Sequence, residues 1–161
     1  MISPARLEVL VAEARALIEG ESHPLVNLAN VAALLYAGLG DVNWCGFYLM
    51  HGGELVLGPF CGKPACRRIA LSRGVCGAAA SSGEPLCVPD VHAFPGHIAC
   101  DCASRSELVV PLLQEGRVVA VLDIDSPLLA RFSAIEQDAM ARVVRALESA
   151  CDWSQTGYDL R

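Results

Sequence analysis

The order of predicted elements indicates an α+β protein with a mostly antiparallel sheet and with its N- and C-terminal helices packed on one face of that sheet. Two helical patterns open the chain, strands joined by hairpin-type turns follow, and a strong helical pattern closes it. The regular alternation of strands and helices that is typical of parallel sheets is missing from the sequence. With 161 residues the chain has the length of one domain, and we expect a single domain over residues 1–161.

Helix signals lie at both ends of the chain. Ser3-Pro4 suits the N-cap and first turn of an N-terminal helix within residues 1–20. A second helical pattern, apolar on more than one face, covers about residues 22–36. The capping-box sequence Ser133-Ala134-Ile135-Glu136 predicts a C-terminal helix over residues 133–151.

Between these helices, short apolar runs bounded by glycine-containing turns predict strands. The predicted strands cover residues 44–50, 54–60, 67–71, 86–88, 107–113 and 117–125. Residues 74–82, rich in Gly, Ala and Ser, predict a short helix, and residues 89–103 predict a long loop.

Composition and charge exclude several classes of function. The net charge of −6 argues against a nucleic-acid partner, and no basic stripe is present to attract an anionic membrane. The N-terminus has charges interleaved with apolar residues, unlike a signal peptide, and no run is long and apolar enough to span a membrane. We therefore expect a cytoplasmic protein. Its eight cysteines are then expected to be reduced at rest, and any that pair are expected to be catalytic, redox-sensing or metal-binding.

The loop at residues 90–106 concentrates reactive side chains. A long loop in a compact domain is usually functional. Within it, His97 precedes Cys100 by three residues and Arg105 follows, and nearby cations favour the reactive thiolate form of cysteine. The loop therefore predicts a reactive thiol at Cys100, the alternative being an inert buried one.

Three carboxylates are predicted to meet on one strand pair. A three-residue turn at residues 114–116 sets Glu107 opposite Asp123, and Asp125 shares the face of Asp123 because it is two residues further along the strand. Crowded carboxylates raise one another's pKa, which favours a protonated acid near neutral pH. The alternative is that Asp123 and Asp125 lie at a solvent-exposed strand end.

Two aromatic residues also share a strand face. Trp44 and Tyr48 are four residues apart in the first predicted strand. They suit the wall of an apolar pocket, although either could be an ordinary core residue.

Together these residues resemble the free methionine-(R)-sulfoxide reductases, a family with a GAF-type fold. The resemblance spans most of the chain and implies a GAF-like domain over residues 1–161 with an active-site loop at residues 90–106. It rests on Asp41 to Tyr48, Leu55 to Phe60, Gly62-Lys63, Ala65-Cys66, Arg73 to Gly77, Asp90-Val91-His92, Gly96 to Asp101, Ser104, Ser106-Glu107 and Val121 to Ser126.

The resemblance implies a thiol mechanism. Cys100 would attack the sulfur of a free methionine-(R)-sulfoxide and become a sulfenic acid. Cys66 or Cys76 would then resolve it as a disulfide, and thioredoxin or another external dithiol would reduce that disulfide. Which of the two resolves, and whether Cys76 attacks before Cys100, stay open. No cofactor or metal is expected.

The same resemblance implies roles in substrate binding. Glu107, Asp123 and Asp125 would contact the polar groups of the substrate, and one acid would protonate its oxygen. Trp44 and Tyr48 would hold its methyl end. A homodimer is compatible with the apolar composition and the amphipathic terminal helices.

Five further cysteines depart from the family pattern, and two other functions compete. A metal-binding or redox-sensing module would draw its ligands from Cys61, Cys66, His92, His97, Cys100 and Cys102, at spacings unlike those of common zinc sites. A stand-alone GAF ligand-binding module is the second competitor, although no output domain follows the last predicted helix. The departing cysteines are Cys45, Cys61, Cys87, Cys102 and Cys151.

Overall fold

The computed structural model describes residues 2–96 and 102–160. Its α-helices are α1 (Pro4–Ile18), α2 (Pro24–Leu39), α3 (Gly74–Ser82) and α4 (Ala134–Ala150). Its strands are β1 (Trp44–His51), β2 (Glu54–Gly62), β3 (Arg68–Ala70), β4 (Leu86–Val88), β5 (Ser106–Gln114) and β6 (Arg117–Ser126). Short 3-10 helices occupy Val91–Ala93 and Trp153–Thr156.

The strands form one sheet in the order β3-β2-β1-β6-β5-β4. Every pair of neighbouring strands in the described part of the chain is antiparallel. This arrangement confirms the predicted α+β class and places β1, which carries Trp44 and Tyr48, and β6, which carries Asp123 and Asp125, at the centre of the sheet.

Both faces of the sheet are covered, so β1 is buried along nearly its whole length. On one side, which we call the helix face, side chains such as Phe47 and Leu122 pack against α1, α2 and α4. On the other side, the pocket face, Trp44 and Tyr48 pack towards α3. The prediction that the N- and C-terminal helices share one face is confirmed.

The β5–β6 hairpin differs from its predicted register. Gln114 pairs with Arg117, so the turn has two residues, both with positive φ, instead of three. A bulge near Leu113 then shifts the pairing by a further residue, and Glu107 faces Asp125. The prediction that Glu107 lies opposite Asp123 is therefore wrong.

The helices in the described ranges are too short or too polar to cross a lipid bilayer.

Candidate active site

A pocket opens on the pocket face of the sheet, between α3 and strands β1, β5 and β6. Its volume is about 520 Å³, counting the space open to solvent at its mouth. Its walls combine aromatic, carboxylate and thiol side chains. It is lined by Trp44, Tyr48, Pro64, Ala65, Ile69, Arg73, Gly74, Val75, Cys76, Ser104, Glu107, Asp123 and Asp125.

Stacked aromatic rings form one wall of the pocket. The Trp44 ring stacks on Tyr48, with centroids 5.8 Å apart, and on Phe60, with centroids 5.3 Å apart. The indole Nε1 of Trp44 donates to the carbonyl of Lys63 at 3.1 Å, and the Tyr48 hydroxyl donates to the carbonyl of Cys66 at 3.0 Å. These two hydrogen bonds fix the rings and attach the segment that carries Cys66 to the pocket wall.

The three predicted carboxylates lie beside the aromatic rings, on the neighbouring strands β6 and β5. Glu107 on β5 faces Asp125 on β6, and Asp123 lies two residues from Asp125 on the same face. Glu107 and Asp123 are buried, whereas Asp125 is half-buried. The structure thus brings Glu107, Asp123 and Asp125 together in the pocket, although by a different register from the predicted one.

Burial dominates the ionisation of these carboxylates. It raises the pKa of Asp123 to about 7, an effect that hydrogen bonds from Cys76 and Glu107 partly offset. Burial, followed by the charges of Asp123 and Asp125, also raises the pKa of Glu107 well above its ordinary value. Two buried carboxyls this close do not both ionise at neutral pH, so the pair retains one proton. Glu107 holds this proton and donates it in a hydrogen bond to Asp123.

Cys76 enters the same cluster from the first turn of α3. Its Sγ lies 3.8 Å from Oε1 of Glu107. This Sγ, one carboxylate oxygen of Glu107 and one of Asp123 all lie within 4.8 Å of one another. Burial first, and then the charges of Asp123 and Glu107, raise the pKa of the Cys76 thiol. The environment therefore holds Cys76 as a protonated thiol that donates to the carboxylates.

The remaining cysteines are spread over the fold. Cys66, in the segment after β2, is disulfide-bonded. Cys100 lies outside the described residues, as do its neighbours His97 and Asp101. The free cysteines among residues 2–96 and 102–160 are Cys45, Cys61, Cys76, Cys87, Cys102 and Cys151.

The ligands suggested for a metal module are not brought together where they fall within residues 2–96 and 102–160. Where the structure describes them, Cys61, Cys66, Cys102 and His92 form no group with metal-ligating spacing; the cluster with that spacing is Cys76 with its two carboxylates. Those groups already hydrogen-bond to one another, so they need no cation to balance them.

Two polar residues of the pocket, Arg73 and Ser104, belong to the segments that carry the family resemblance but were given no role from the sequence. Arg73, an exposed residue at the N-cap of α3, belongs to the lining of the pocket. Ser104 is buried beside the carboxylates, and its Oγ accepts a hydrogen bond from Asn43 Nδ2 at 3.0 Å. Arg73 directly precedes the helix that carries Cys76, and this adjacency is the signal that could have identified it. Arg105, predicted to activate Cys100, is exposed and is absent from the described lining.

Comparison with known proteins gives the same fold and a family. The GAF domain model matches residues 23–151. The free methionine-R-sulfoxide reductase of Escherichia coli is 50% identical over 133 residues, which cover 83% of this chain and 81% of that protein. The yeast protein of the same name, from Saccharomyces cerevisiae, is 39% identical and covers 90% and 85% of the two chains.

A solved structure extends the likeness to three dimensions. The free methionine-R-sulfoxide reductase from Neisseria meningitidis, determined in complex with its substrate, superimposes with a TM-score of 0.91 at 40% identity. The match covers 98% of this chain and 95% of that one. The chain therefore belongs to the GAF-domain family of free methionine-R-sulfoxide reductases.

Proposed function

We propose that this protein reduces free methionine-(R)-sulfoxide to methionine with a cysteine nucleophile. The observation that carries the proposal is the pocket itself, in which stacked aromatic rings lie beside buried, proton-sharing carboxyls. An apolar wall suits the methyl sulfoxide end of the substrate, and a protonated carboxyl suits the oxygen that must leave.

In the first step Cys100, as thiolate, attacks the sulfur of the sulfoxide. The Glu107–Asp123 pair supplies the proton that the sulfoxide oxygen needs, which is the role of an acid whose pKa is raised towards neutral pH. Methionine leaves, and the oxygen stays on Cys100 as a sulfenic acid. The sulfoxide is reduced by two electrons and the thiol is oxidised by two.

In the second step Cys66 attacks the sulfenic sulfur, water leaves, and a disulfide forms. Two observations favour Cys66 over Cys76 for this role. Cys66 is disulfide-bonded, whereas Cys76 is a free thiol. The raised pKa of Cys76 also disfavours the thiolate that either attack requires, so we assign Cys76 to the hydrogen-bonded wall of the pocket.

The substrate's ammonium group would be bound by carboxylates. Asp125, half-buried at the edge of the cluster, and the ionised member of the Glu107–Asp123 pair offer negative charge where an amino acid backbone would lie. Trp44 and Tyr48 would contact the methyl end. A peptide-bound residue has no ammonium there, so this arrangement favours the free amino acid.

The last step of the cycle regenerates the reduced thiols of the enzyme. A dithiol protein of the thioredoxin class would reduce the disulfide by exchange, and no cofactor takes part in any step. The loop at residues 90–106 would be the active-site loop and the cytoplasm the site of action. A homodimer stays a prediction.

The proposal is tested by incubating the reduced protein with free methionine-(R)-sulfoxide and dithiothreitol and measuring methionine. We expect turnover with the R epimer and far less with the S epimer. Cys100→Ser should abolish it, whereas Cys102→Ser, a matched change at an exposed thiol two residues away, should leave it. Tight binding of the sulfoxide without turnover would refute the reductase and favour the stand-alone ligand-binding module.

A second arm of this experiment separates Cys66 from Cys76. With thioredoxin as reductant, Cys66→Ser should release about one methionine per enzyme molecule and then stop, because the sulfenic acid cannot become a disulfide. Cys76→Ser should continue to turn over. If Cys76→Ser stopped after one methionine and Cys66→Ser did not, the assignment of the resolving cysteine would be reversed.

A further inference from the structure

Cys45 and Cys61 lie directly opposite each other in the sheet. In the β1–β2 register Cys45 pairs with Cys61, flanked by the pairs Trp44 with Gly62 and Gly46 with Phe60. Directly paired residues of antiparallel strands have Cα atoms about 4.5 to 5.5 Å apart. Disulfides join cysteines whose Cα atoms are about 4.4 to 6.8 Å apart, so the register meets the first requirement for a bond.

The two thiols also project to the same side of the sheet. Phe60 stacks on Trp44 on the pocket face, and successive side chains of a strand alternate between faces. Cys45 and Cys61 therefore point to the helix face, where Cys45 belongs to the core under the helices. The pKa of Cys45 is raised mainly by burial, then by the charge of Asp123, and then by the charge of Cys61. The effect of Cys61 agrees with the close approach of the two sulfur atoms.

The two thiols differ in their access to solvent. Cys45 is 0% exposed, whereas Cys61 is half-buried near the end of β2. Both are free thiols in the structure. A reagent from solution would thus reach Cys61 first, and Cys45 would be the neighbour that reacts next.

We propose that Cys45 and Cys61 form a second dithiol–disulfide couple, separate from the catalytic thiols, which closes by exchange with a low-molecular-weight disulfide such as oxidised glutathione. The Cys61 thiolate attacks one sulfur of the small disulfide, and one glutathione thiol leaves. Cys45, whose raised pKa makes this second step slow, then gives up its proton and attacks the sulfur of Cys61, and the second glutathione leaves. The protein sulfurs lose two electrons, and one glutathione disulfide becomes two thiols.

The Cys45–Cys61 couple lies next to the segment that connects β2 to Cys66. Cys61 is followed by Gly62 and by Lys63, whose carbonyl accepts the hydrogen bond of the Trp44 indole, and Cys66 lies three residues further on. Closing the bond would hold the end of β2 against β1 and so restrain the segment that carries Cys66. The couple itself does not depend on the proposed reductase activity, since it lies on the other face of the sheet.

The test uses the full chain with Cys66→Ser and Cys100→Ser, which removes both proposed catalytic thiols. The reduced protein is equilibrated in glutathione redox buffers, quenched in acid, alkylated, and digested with trypsin and a glutamate-specific protease. Cleavage after Glu54 separates Cys45 from Cys61, and cleavage after Arg67 trims the second peptide. We expect a cross-linked peptide pair, a free-thiol content lower by two, and a mass lower by two hydrogens.

Two matched variants complete the experiment. Adding Cys61→Ser should leave Cys45 fully alkylated, whereas adding Cys87→Ser, at another half-buried thiol, should leave the cross-linked pair unchanged. Recovery of Cys61 as a glutathione adduct with Cys45 still alkylated would overturn the proposal. So would a Cys45 thiol that stays reduced across the whole buffer series.

Discussion

Asp123 is a residue at which the requirements of stability and of chemistry conflict. It is 6% exposed, and among the described residues its Oδ1 has no hydrogen-bond partner. Burial of this carboxyl raises its pKa from 3.8 to about 7. A folded-state pKa above the unfolded value means that ionisation at neutral pH weakens the fold.

We predict that Asp123→Asn stabilises the protein in a pH-dependent way. The contribution of Asp123 to stability is fully present below its unfolded pKa and is lost as the pH rises through about 7. The asparagine variant avoids that loss, so its free energy of unfolding should exceed that of the wild type at pH 8 by about 2–4 kcal/mol. The difference should shrink towards pH 4, as denaturant unfolding at both pH values would show.

The same variant should lose activity. Without the second carboxyl, Glu107 has no partner with which to share a proton, and the substrate ammonium loses a counter-charge. Under the proposed function, kcat/KM should fall by about 10²-fold or more. Asp138→Asn, at an exposed surface acid, is the control and should change neither property appreciably. A stability gain that is equal at pH 4 and pH 8 would contradict the assigned ionisation.

At the scale of elements, the pocket depends on how closely α3 approaches the strand segment beneath it. A Cβ added at Gly77 would lie 2.6 Å from the carbonyl oxygen of Ala70 and 3.1 Å from that of Leu71. These are backbone atoms, which cannot rotate away as a side chain does. Glycine at this position therefore sets the depth at which Cys76 reaches the carboxylates.

Gly77→Ala should for this reason destabilise the protein although alanine is the better helix former. The clash should cost about 1–3 kcal/mol and lower activity, because it moves Cys76 away from Glu107. Gly38→Ala is a matched change in α2, where the nearest atom is the flexible Cδ1 of Leu10, and it should cost less and leave activity unchanged. Thermal unfolding and methionine release measure both, and equal effects at the two glycines would be evidence against the close-approach argument.

The hairpin that carries the acids shows how far prediction from sequence reaches. The predicted register set Glu107 opposite Asp123, whereas the structure pairs Glu107 with Asp125. The shorter turn and the bulge near Leu113 each shift the pairing by one residue. A shift of one residue would have placed Glu107 and the two aspartates on opposite faces of the sheet. A shift of two residues returns all three acids to the same face. The carboxylate cluster was therefore predictable from strand alternation, and its exact pairing was not.

Other parts of the pocket depend on tertiary approach. Ser104 and Arg73 reach the pocket from separate connecting segments, which no strand or helix period relates to Glu107. The protonated state of Cys76 likewise follows from burial against acids that lie far away in the chain. Composition and periodicity do not determine such approaches, although they correctly predicted the sheet, the helices and their order.

At the scale of the whole molecule, a buried ion pair joins distant segments on the helix face. The Arg131 guanidinium contacts Glu136 of α4 and donates from Nη2 to the carbonyls of Leu39 at 2.8 Å and Gly40 at 3.0 Å. The two charged side chains are 4% and 2% exposed. Arg131 thereby satisfies carbonyl groups at the end of α2 and attaches them to the start of α4.

Arg131→Leu should lower the free energy of unfolding by about 3–5 kcal/mol, because it leaves the Glu136 carboxylate buried without its partner. Adding Glu136→Gln should recover part of that loss, since glutamine can keep the hydrogen bond to Ser133 N without the charge. Arg142→Leu, which breaks more exposed ion pairs, is the control and should cost at most about 1 kcal/mol. The folded Arg131 variants should retain their methionine release, because the ion pair lies on the helix face and the pocket on the other. Equal losses of stability at Arg131 and Arg142 would contradict this explanation. So would a double variant no more stable than Arg131→Leu, because the loss would then not come from the unpaired buried carboxylate of Glu136.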